Sequence, residues 1–431
     1  MNVFQRPIRM RGPSIALILM LAAMVQLLLV GSAMILWPSS SHADDGSAGG
    51  NTIRPSSVVN DGLVWITPKP PTERRVGYED DWLMEWKRRH YSPEQRPRCV
   101  HSDRTPYDDG VLCTIPAYVP ARLHLPAEDE MYPIPRVIFT TWSVRRLGRA
   151  MYTSLLTLMH HNPEYEFILF DDEDVDRFVC ETSLREDWAL PIFSKIRSGA
   201  MRSDVWRLLV IRMYGGVYVD SDISSLGKLP VQRGDTMASG VACWSHLPGD
   251  TGGAFEHWAM AYAPHHPFAE AAAALMRRNL EDPAYLLRDD TPEAKAEDSW
   301  TMRLTGPAMY QRALHDVLED AGCERVDNSY CDALWNPKEH CLDMGAFRSV
   351  FPKGHRLFQD VNFDGSFTHK VFHPGNPWEK ETTDFVPINH YDDPENGLRD
   401  EADAGFCDAG AFEARANQRK KHWRERLREK D

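Results

Sequence analysis

The 431-residue chain has no basic excess: 49 Lys and Arg stand against 63 Asp and Glu, a formal charge of −14. That balance argues against nucleic acid as a general partner, and an anionic ligand would need a local cation or a metal to be held. The eight cysteines include no pair with zinc-ligand spacing, which argues against a structural zinc site. No Asn-x-Ser/Thr sequon with a permitted middle residue occurs, so the chain should not carry N-linked glycans itself. There is no internal repeat and no clearly placed nucleophile.

One long apolar run is present. Ile15 to Trp37 (IALILMLAAMVQLLLVGSAMILW) carries no charge, with Arg6, Arg9 and Arg11 before it and Asp44 and Asp45 after it. At roughly 23 residues it is long enough to span about 30 Å of hydrocarbon, whereas a cleaved signal has a core of about 7–15. The charge asymmetry predicts a single-pass type II signal anchor, with residues 1–14 as a cytosolic tail, 15–37 as the membrane segment and the remainder lumenal. An oxidising lumen permits disulfides, so Cys99 with Cys113, and a pairing among Cys323, Cys331 and Cys341, are candidates.

Residues 38–130 read as a stem. The Ser-, Gly- and Asp-rich beginning predicts disorder, and Tyr78 to His90 (YEDDWLMEWKRRH) predicts one short helix. From about residue 131 to 395 the texture is that of an α/β domain with a mainly parallel sheet. VIFTTW (Val137–Trp142), FILF (Phe167–Phe170) and VYV (Val217–Val219) read as buried strands, alternating with helical segments near Leu147–His160 and Ser198–Tyr214. Residues 396–431 read as a charged tail.

The most informative stretch is MYGGVYVDSD, Met213 to Asp222. Two glycines stop a helix, a strand follows, and two aspartates stand at its carboxyl end, the edge at which such sheets bind ligands. Alternation puts Asp220 and Asp222 on one side of the backbone. A solvated turn is the bland explanation of an Asp-x-Asp. In this context two hard oxygen donors suit Mg²⁺ or Mn²⁺, and such an ion can hold a diphosphate. Upstream, Asp204 and Arg207 are three apart and share a helix face in an otherwise apolar segment. Such an Arg could grip phosphate or a sugar hydroxyl.

The block MRSDVWRLLVIRMYGGVYVDSD resembles the signature of the DXD-containing, sugar-binding glycosyltransferases, the group of yeast-type initiating α-1,6-mannosyltransferases. Weaker matches follow in family order: IPRVIFTTW (Ile134–Trp142), HNPEYEFILFDDED (His161–Asp174), FEHWAMAYAPHHPF (Phe255–Phe268) as a Trp-containing helix with a His-Pro pair, TGPAMY (Thr305–Tyr310) and FTHKVFHPGNPW (Phe367–Trp378). The resemblance implies a GT-A nucleotide-diphospho-sugar transferase fold and a retaining reaction using a nucleotide sugar with Mn²⁺ or Mg²⁺. It gives Asp222 as direct metal ligand and Asp220 as contact to the ribose or a metal-bound water. Asp204 and Arg207 hold the donor sugar and phosphates, and Trp142 stacks on the base. His369 and His373 compete for a late ligand position. Phe139 stands where the family usually has His, and Pro377 where a small residue precedes the closing Trp.

The expectation is therefore a Golgi membrane enzyme with a lumenal catalytic domain that moves mannose from GDP-mannose to a glycan of glycoproteins or glycolipids. A UDP-linked galactose, glucose or N-acetylglucosamine donor, a catalytically silent sugar-binding scaffold and a metal-dependent phosphohydrolase are the alternatives. Trp258 and Trp206 read as core, and Asp171 and Asp172 as a strand-end turn.

Overall fold

The computed structural model describes residues 81–101, 110–123, 132–182, 188–242 apart from 226, 230 and 232, 254–282, 300–320, 355–359, 368–370 and 405–421 apart from 409, 416, 419 and 420. The membrane segment expected at 15–37 lies outside these residues. Among the described residues no helix is long and apolar enough to cross a membrane.

The order is α1 (Asp81–His90), β1 (Arg98–His101), β2 (Val111–Thr114), β3 (Tyr118–Val119), β4 (Val137–Thr141), β5 (Arg146–Leu147), α2 (Arg149–His161), β6 (Glu166–Phe170), α3 (Asp172–Thr182) and α4 (Ala189–Phe193). It continues with α5 (Gly199–Tyr214), β7 (Gly216–Val219), β8 (Ile223–Ser225), β9 (Met237–Ala242), β10 (Ala254–Tyr262), α6 (Pro267–Glu281), α7 (Trp300–Leu304), α8 (Pro307–Asp320), β11 (His355–Gln359) and β12 (Thr368–Lys370). Seven strands form the main sheet in the order β11-β9-β10-β7-β4-β6-β3.

The fold is α/β, as expected, but the sheet is mixed rather than mainly parallel. β4 runs parallel to β6 and β7, and β11 to β9, whereas β10 is antiparallel to both β7 and β9, and β3 to β6. The antiparallel strand β10 is formed by the segment read as a Trp-containing helix. Ala254–Tyr262 (AFEHWAMAY) is too short to separate the two periods, and its pairing partners on both sides decide for strand. The His-Pro pair that follows starts α6 instead: Nδ1 of His266 accepts from the backbone N–H of Phe268 at 3.2 Å, and Pro267 takes the first helical position.

Two layers of apolar side chains sandwich the sheet. On one side Phe139, Phe170 and Tyr218 meet α3, α5, α6 and α8; on the other Ile138, Leu169 and Val219 meet α2. Helix α5 shows why its sequence is apolar beyond one face: every residue from Asp204 to Ile211 is buried, so it is a central helix and not an amphipathic surface one.

The expected stem boundary near residue 130 is not a boundary in packing. Leu83 and Trp86 of α1 are 1% exposed and belong to the main core, Trp86 stacking near Phe170 at 4.5 Å, while β3 extends the main sheet. The composition of 38–130 hid this, because a few large apolar residues anchor an otherwise polar stretch. The tail is likewise tied in at its start. Cys407 is disulfide-bonded to Cys180, Phe406 is buried, and Arg415 pairs with Asp176 at 2.9 Å. Cys99 and Cys113, one of the candidate pairs, are bonded across the β1–β2 hairpin. Cys323, Cys331 and Cys341 lie outside the described residues.

The turn from α5 into β7 depends on two glycines. Gly215 has φ +63° and Gly216 φ +96°, a region that other residues enter only at a cost. A Cβ on Gly216 would also stand 2.6 Å from Val137 Cγ1 and 2.8 Å from the Val137 carbonyl oxygen, the strand beside it. Gly216→Ala should therefore destabilise the fold by at least about 2 kcal/mol, from strain and overpacking together. Urea unfolding measures this, and an unchanged midpoint would mean the turn relaxes without cost.

Candidate active site

The site lies where β7 leaves the sheet. The backbone N–H of Asp220 donates to the Trp258 carbonyl at 2.8 Å, extending the β7–β10 ladder by one bond, and Ile223 N–H returns to the Asp220 carbonyl at 3.3 Å. The aspartates thus sit on a tight turn between β7 and β8. Asp220 and Asp222 are both half-buried.

Arg207 reaches this turn from α5. It is 6% exposed, a cation almost wholly removed from water. Its Nη2 lies 3.3 Å from Asp204 Oδ1 and 3.2 Å from Asp220 Oδ1, and it also donates to Ser203 Oγ at 3.2 Å. The guanidinium carbon stands 4.6 Å from the centroid of the Tyr218 ring, a cation–π arrangement. Tyr218 donates its hydroxyl to the same Asp220 oxygen at 2.7 Å. Burial pushes the Tyr218 hydroxyl well above its ordinary value; Arg207 opposes the shift and Asp220 adds to it. It therefore stays protonated as a donor.

The sequence brought Asp204, Arg207, Asp220 and Asp222 forward, and the fold joins the first three directly. Two further residues escaped it. Thr305, in the Thr-Gly-Pro loop before α8, donates from Oγ1 to Asp204 Oδ2 at 2.9 Å, and both are buried. His257 of β10 faces Arg207 and Asp204, with Nδ1 3.0 Å from Arg207 Nη1 and Nε2 3.4 Å from Asp204 Oδ1. Thr305 was within a recognised segment but its target was not; His257 was hidden because its segment read as a helix.

Trp142 follows β4, the neighbour of β7, at the same edge of the sheet. Its backbone N–H donates to the Phe170 carbonyl at 3.1 Å, and its ring packs half-buried on the second core. The indole N–H is buried without a hydrogen-bond partner among the described residues. Trp258 and Trp206 are core, 4% and 0% exposed. Strand β12 pairs with β8 so that His369 lies opposite Ser224 and Lys370 opposite Ile223, which carries the His369 backbone alongside the strand that begins just after Asp222. His373 lies outside the described residues. Among the described residues no group of three or more His, Cys, Asp or Glu side chains is assembled as a metal cage.

The second acidic cluster is a helix start. Asp171 Oδ1 accepts from the backbone N–H groups of Glu173 and Asp174, each at 3.1 Å, capping α3. Arg145 bridges Asp171 at 3.3 Å and also pairs with Asp174.

The fold and these contacts place an arginine fork and two aspartates at the carboxyl edge of an α/β sheet. Residues 149–239 match the glycosyltransferase sugar-binding region containing the DXD motif. Among individual relatives, inositol phosphoceramide mannosyltransferase 2 of Schizosaccharomyces pombe is 29% identical over 178 residues, covering 36% of this chain and 46% of that protein. Inositol phosphoceramide mannosyltransferase 1 of the same yeast is 30% identical over 100 residues, covering 22% of this chain and 30% of that protein. The mannosyl phosphorylinositol ceramide synthase CSH1 of Saccharomyces cerevisiae is 26% identical over 115 residues, covering 25% and 30%. The matches thus span less than half the length of each of these relatives. Among solved structures, the PaToxG glycosyltransferase matches 51% of this chain and 79% of its own at 16% identity, with a TM-score of 0.31.

Stability at the start of α3 depends on pH. Asp171 is pushed up from 3.8 to about 6, first by burial and then by the Asp174 charge, with Arg145 opposing. A carboxyl whose folded value is raised holds a proton in the folded state that the unfolded chain has lost between about pH 4 and 6, so its contribution falls as pH rises through that window. Asp171→Asn keeps the cap and removes the charge. It should stabilise the protein by on the order of 1–2 kcal/mol above pH 6, and the gain should vanish near pH 4. Thermal melts across pH check this; a stability loss that grows with pH would mean that pairing with Arg145 outweighs burial.

Proposed function

We propose that this chain is a metal-dependent, retaining glycosyltransferase that moves mannose from GDP-mannose to a hydroxyl of a glycolipid or glycoprotein glycan, anchored as a type II protein in the Golgi membrane. The observation that carries the reading is the Asp204–Arg207–Asp220 cluster, buried at a strand mouth inside the segment that matches a sugar-binding DXD region. Mannose is favoured by the names of the related yeast proteins, and those names make an inositol phosphoceramide the first acceptor to try.

In this reading the residues divide the work by chemistry. Arg207 is already pinned on Nη2 by two carboxylates, so its fork is oriented before the donor arrives and offers a cation to the diphosphate. Asp204, a hydrogen-bond acceptor held by Thr305, takes a hydroxyl of the donor sugar. Trp142 offers its ring to the base at the same edge.

The carboxylates fit a divalent ion. Asp220 Oδ1 meets Tyr218 and Arg207; following the family resemblance, Asp222 is the direct ligand and Asp220 a contact to the ribose or an ion-bound water. One or two carboxylates with diphosphate oxygens and water are the ordinary way Mg²⁺ is held. The ion, when bound, neutralises the diphosphate as it leaves. His369, in the strand paired with β8, and His373, which the spacing to Trp378 slightly favours, both stay candidates for the late ligand.

Transfer and hydrolysis assays with GDP-mannose and the UDP-hexoses, in the presence of Mn²⁺, test the reading. Arg207→Lys should be nearly as damaging as Arg207→Ala, since a point charge cannot replace a pinned fork. Asp222→Asn should abolish transfer, and the stabilisation given to the wild type by GDP with Mn²⁺, about 2.7 kcal/mol at a hundredfold excess over Kd and read as a rise in melting temperature, should shrink sharply. Near-normal turnover of Asp222→Asn in EDTA would sink the metal-dependent mechanism. Donor binding without turnover in the wild type would favour the silent scaffold.

A further inference from the structure

We infer that His257 is a positioning residue that sets the geometry of the Arg207 fork and of Asp204, and through them the affinity for the donor diphosphate. The inference rests on the glycosyltransferase reading and adds a residue to it.

Three observations carry it. His257 lies in a break of strand register. β10 pairs with β9 at Glu256↔Gly240 and next at Met260↔Ser239, so residues 257–259 of β10 face no partner residue on β9. Such bulges re-aim side chains and gather beside active sites. Here the interruption falls next to Trp258, whose carbonyl holds the Asp220 backbone.

The second observation is burial. Glu256, His257 and Trp258 are 2%, 5% and 4% exposed. A polar ring taken this far out of water is retained against a cost unless its nitrogens are matched.

The third is the match itself. Arg207 can only donate, so Nδ1 of His257, 3.0 Å from Nη1, is the acceptor. The proton then resides on Nε2, which lies 3.4 Å from Asp204 Oδ1, within electrostatic reach but outside hydrogen-bond geometry. One ring therefore accepts from the cation and turns its N–H side toward the carboxylate. The His257 carbonyl lies 3.4 Å from the same Nη1 and reinforces the placement from the backbone. Nη2 is meanwhile turned toward Asp204, Asp220 and Ser203. The Tyr310 ring, 5.8 Å away, limits how far the imidazole can tilt. Without the ring, Nη1 would keep only its longer bond to a backbone carbonyl, and the guanidinium plane could pivot about the contacts that hold Nη2.

The test compares His257→Ala, His257→Asn and His257→Gln in the full chain. An Asn amide oxygen can take the place of Nδ1; the longer Gln places its amide nearer the Nε2 position. The measurements are steady-state kinetics against GDP-mannose at fixed Mn²⁺, calorimetric binding of GDP with Mn²⁺, and urea unfolding. A lost hydrogen bond to a charged group corresponds to roughly ten- to a hundredfold. His257→Ala should raise donor KM and GDP Kd by at least about tenfold, with a smaller change in kcat, and His257→Asn should return both to within about threefold. If His257→Ala does not fold, His257→Gln replaces it in the comparison with His257→Asn. Unchanged donor KM and GDP Kd in His257→Ala, or equal impairment of Ala, Gln and Asn variants tracking a shared loss of stability, would overturn the inference while leaving the glycosyltransferase reading intact. A wild-type protein that neither binds nor turns over any nucleotide sugar would overturn both.

Discussion

The site is organised around one buried cation. Removing a guanidinium from water costs several kcal/mol unless its charge and its donors are matched, and Arg207 meets that demand with Asp204 from its own helix, Asp220 from beyond the next strand and the face of Tyr218 between them. The requirement propagates into the fold. Helix α5 has to pass close to the end of β7, so the chain has to reverse within the two residues Gly215 and Gly216. β4 has to lie so close to that reversal that no Cβ fits at Gly216. The two glycines and the two aspartates are thus parts of one constraint.

Much of this was legible because the constraint is local in sequence. Helix, glycine stop, strand and carboxylates lie within MRSDVWRLLVIRMYGGVYVDSD, and the propensities of those residues agree with the structure they adopt. The strands β4, β6 and β7 and the helices α2 and α5 announced themselves by apolar runs of the right length. What the sequence could not convey was the neighbour of each element. The burial of α5 on all sides, the antiparallel insertion of β10 and the attachment of α1 and of Cys407 to the core are all consequences of long-range pairing. Residues 254–262 make the point most clearly. Nine residues rich in Ala and Met satisfy a helix as well as a strand, and only β7 and β9 on either side decide.

That ambiguity also explains why His257 and Thr305 were missed. Neither belongs to the local block. Each arrives from a later element, β10 or the loop before α8, and each contacts Asp204, a residue the local block already contained. Second contributions of this sort carry no spacing signal, because their distance from the primary residues is set by the intervening fold and not by helix or strand period.

The strand mouth gathers carboxylates. Asp204 and Asp220 both meet the guanidinium of Arg207, and Asp222 stands two residues on in the same turn. Tyr218, kept protonated by burial, adds a donor but no charge, and His257 in the tautomer that accepts from Arg207 adds none either. Among the contacts described, one cation thus serves two carboxylates at the point where the proposed donor would present its diphosphate. Like charges at such range oppose one another strongly once water is displaced. Arg207 relieves this only in part, since its charge is shared between Asp204 and Asp220. In the proposed reading a divalent cation would offset the remaining charge and let the carboxylates retain the diphosphate rather than repel it. The chain as a whole, at −14, supplies no background field that would do the same. On the proposed reading the acidic turn and an anionic ligand are compatible as a three-component arrangement, in which Arg207 would hold one part of the diphosphate and an ion beside Asp222 the other.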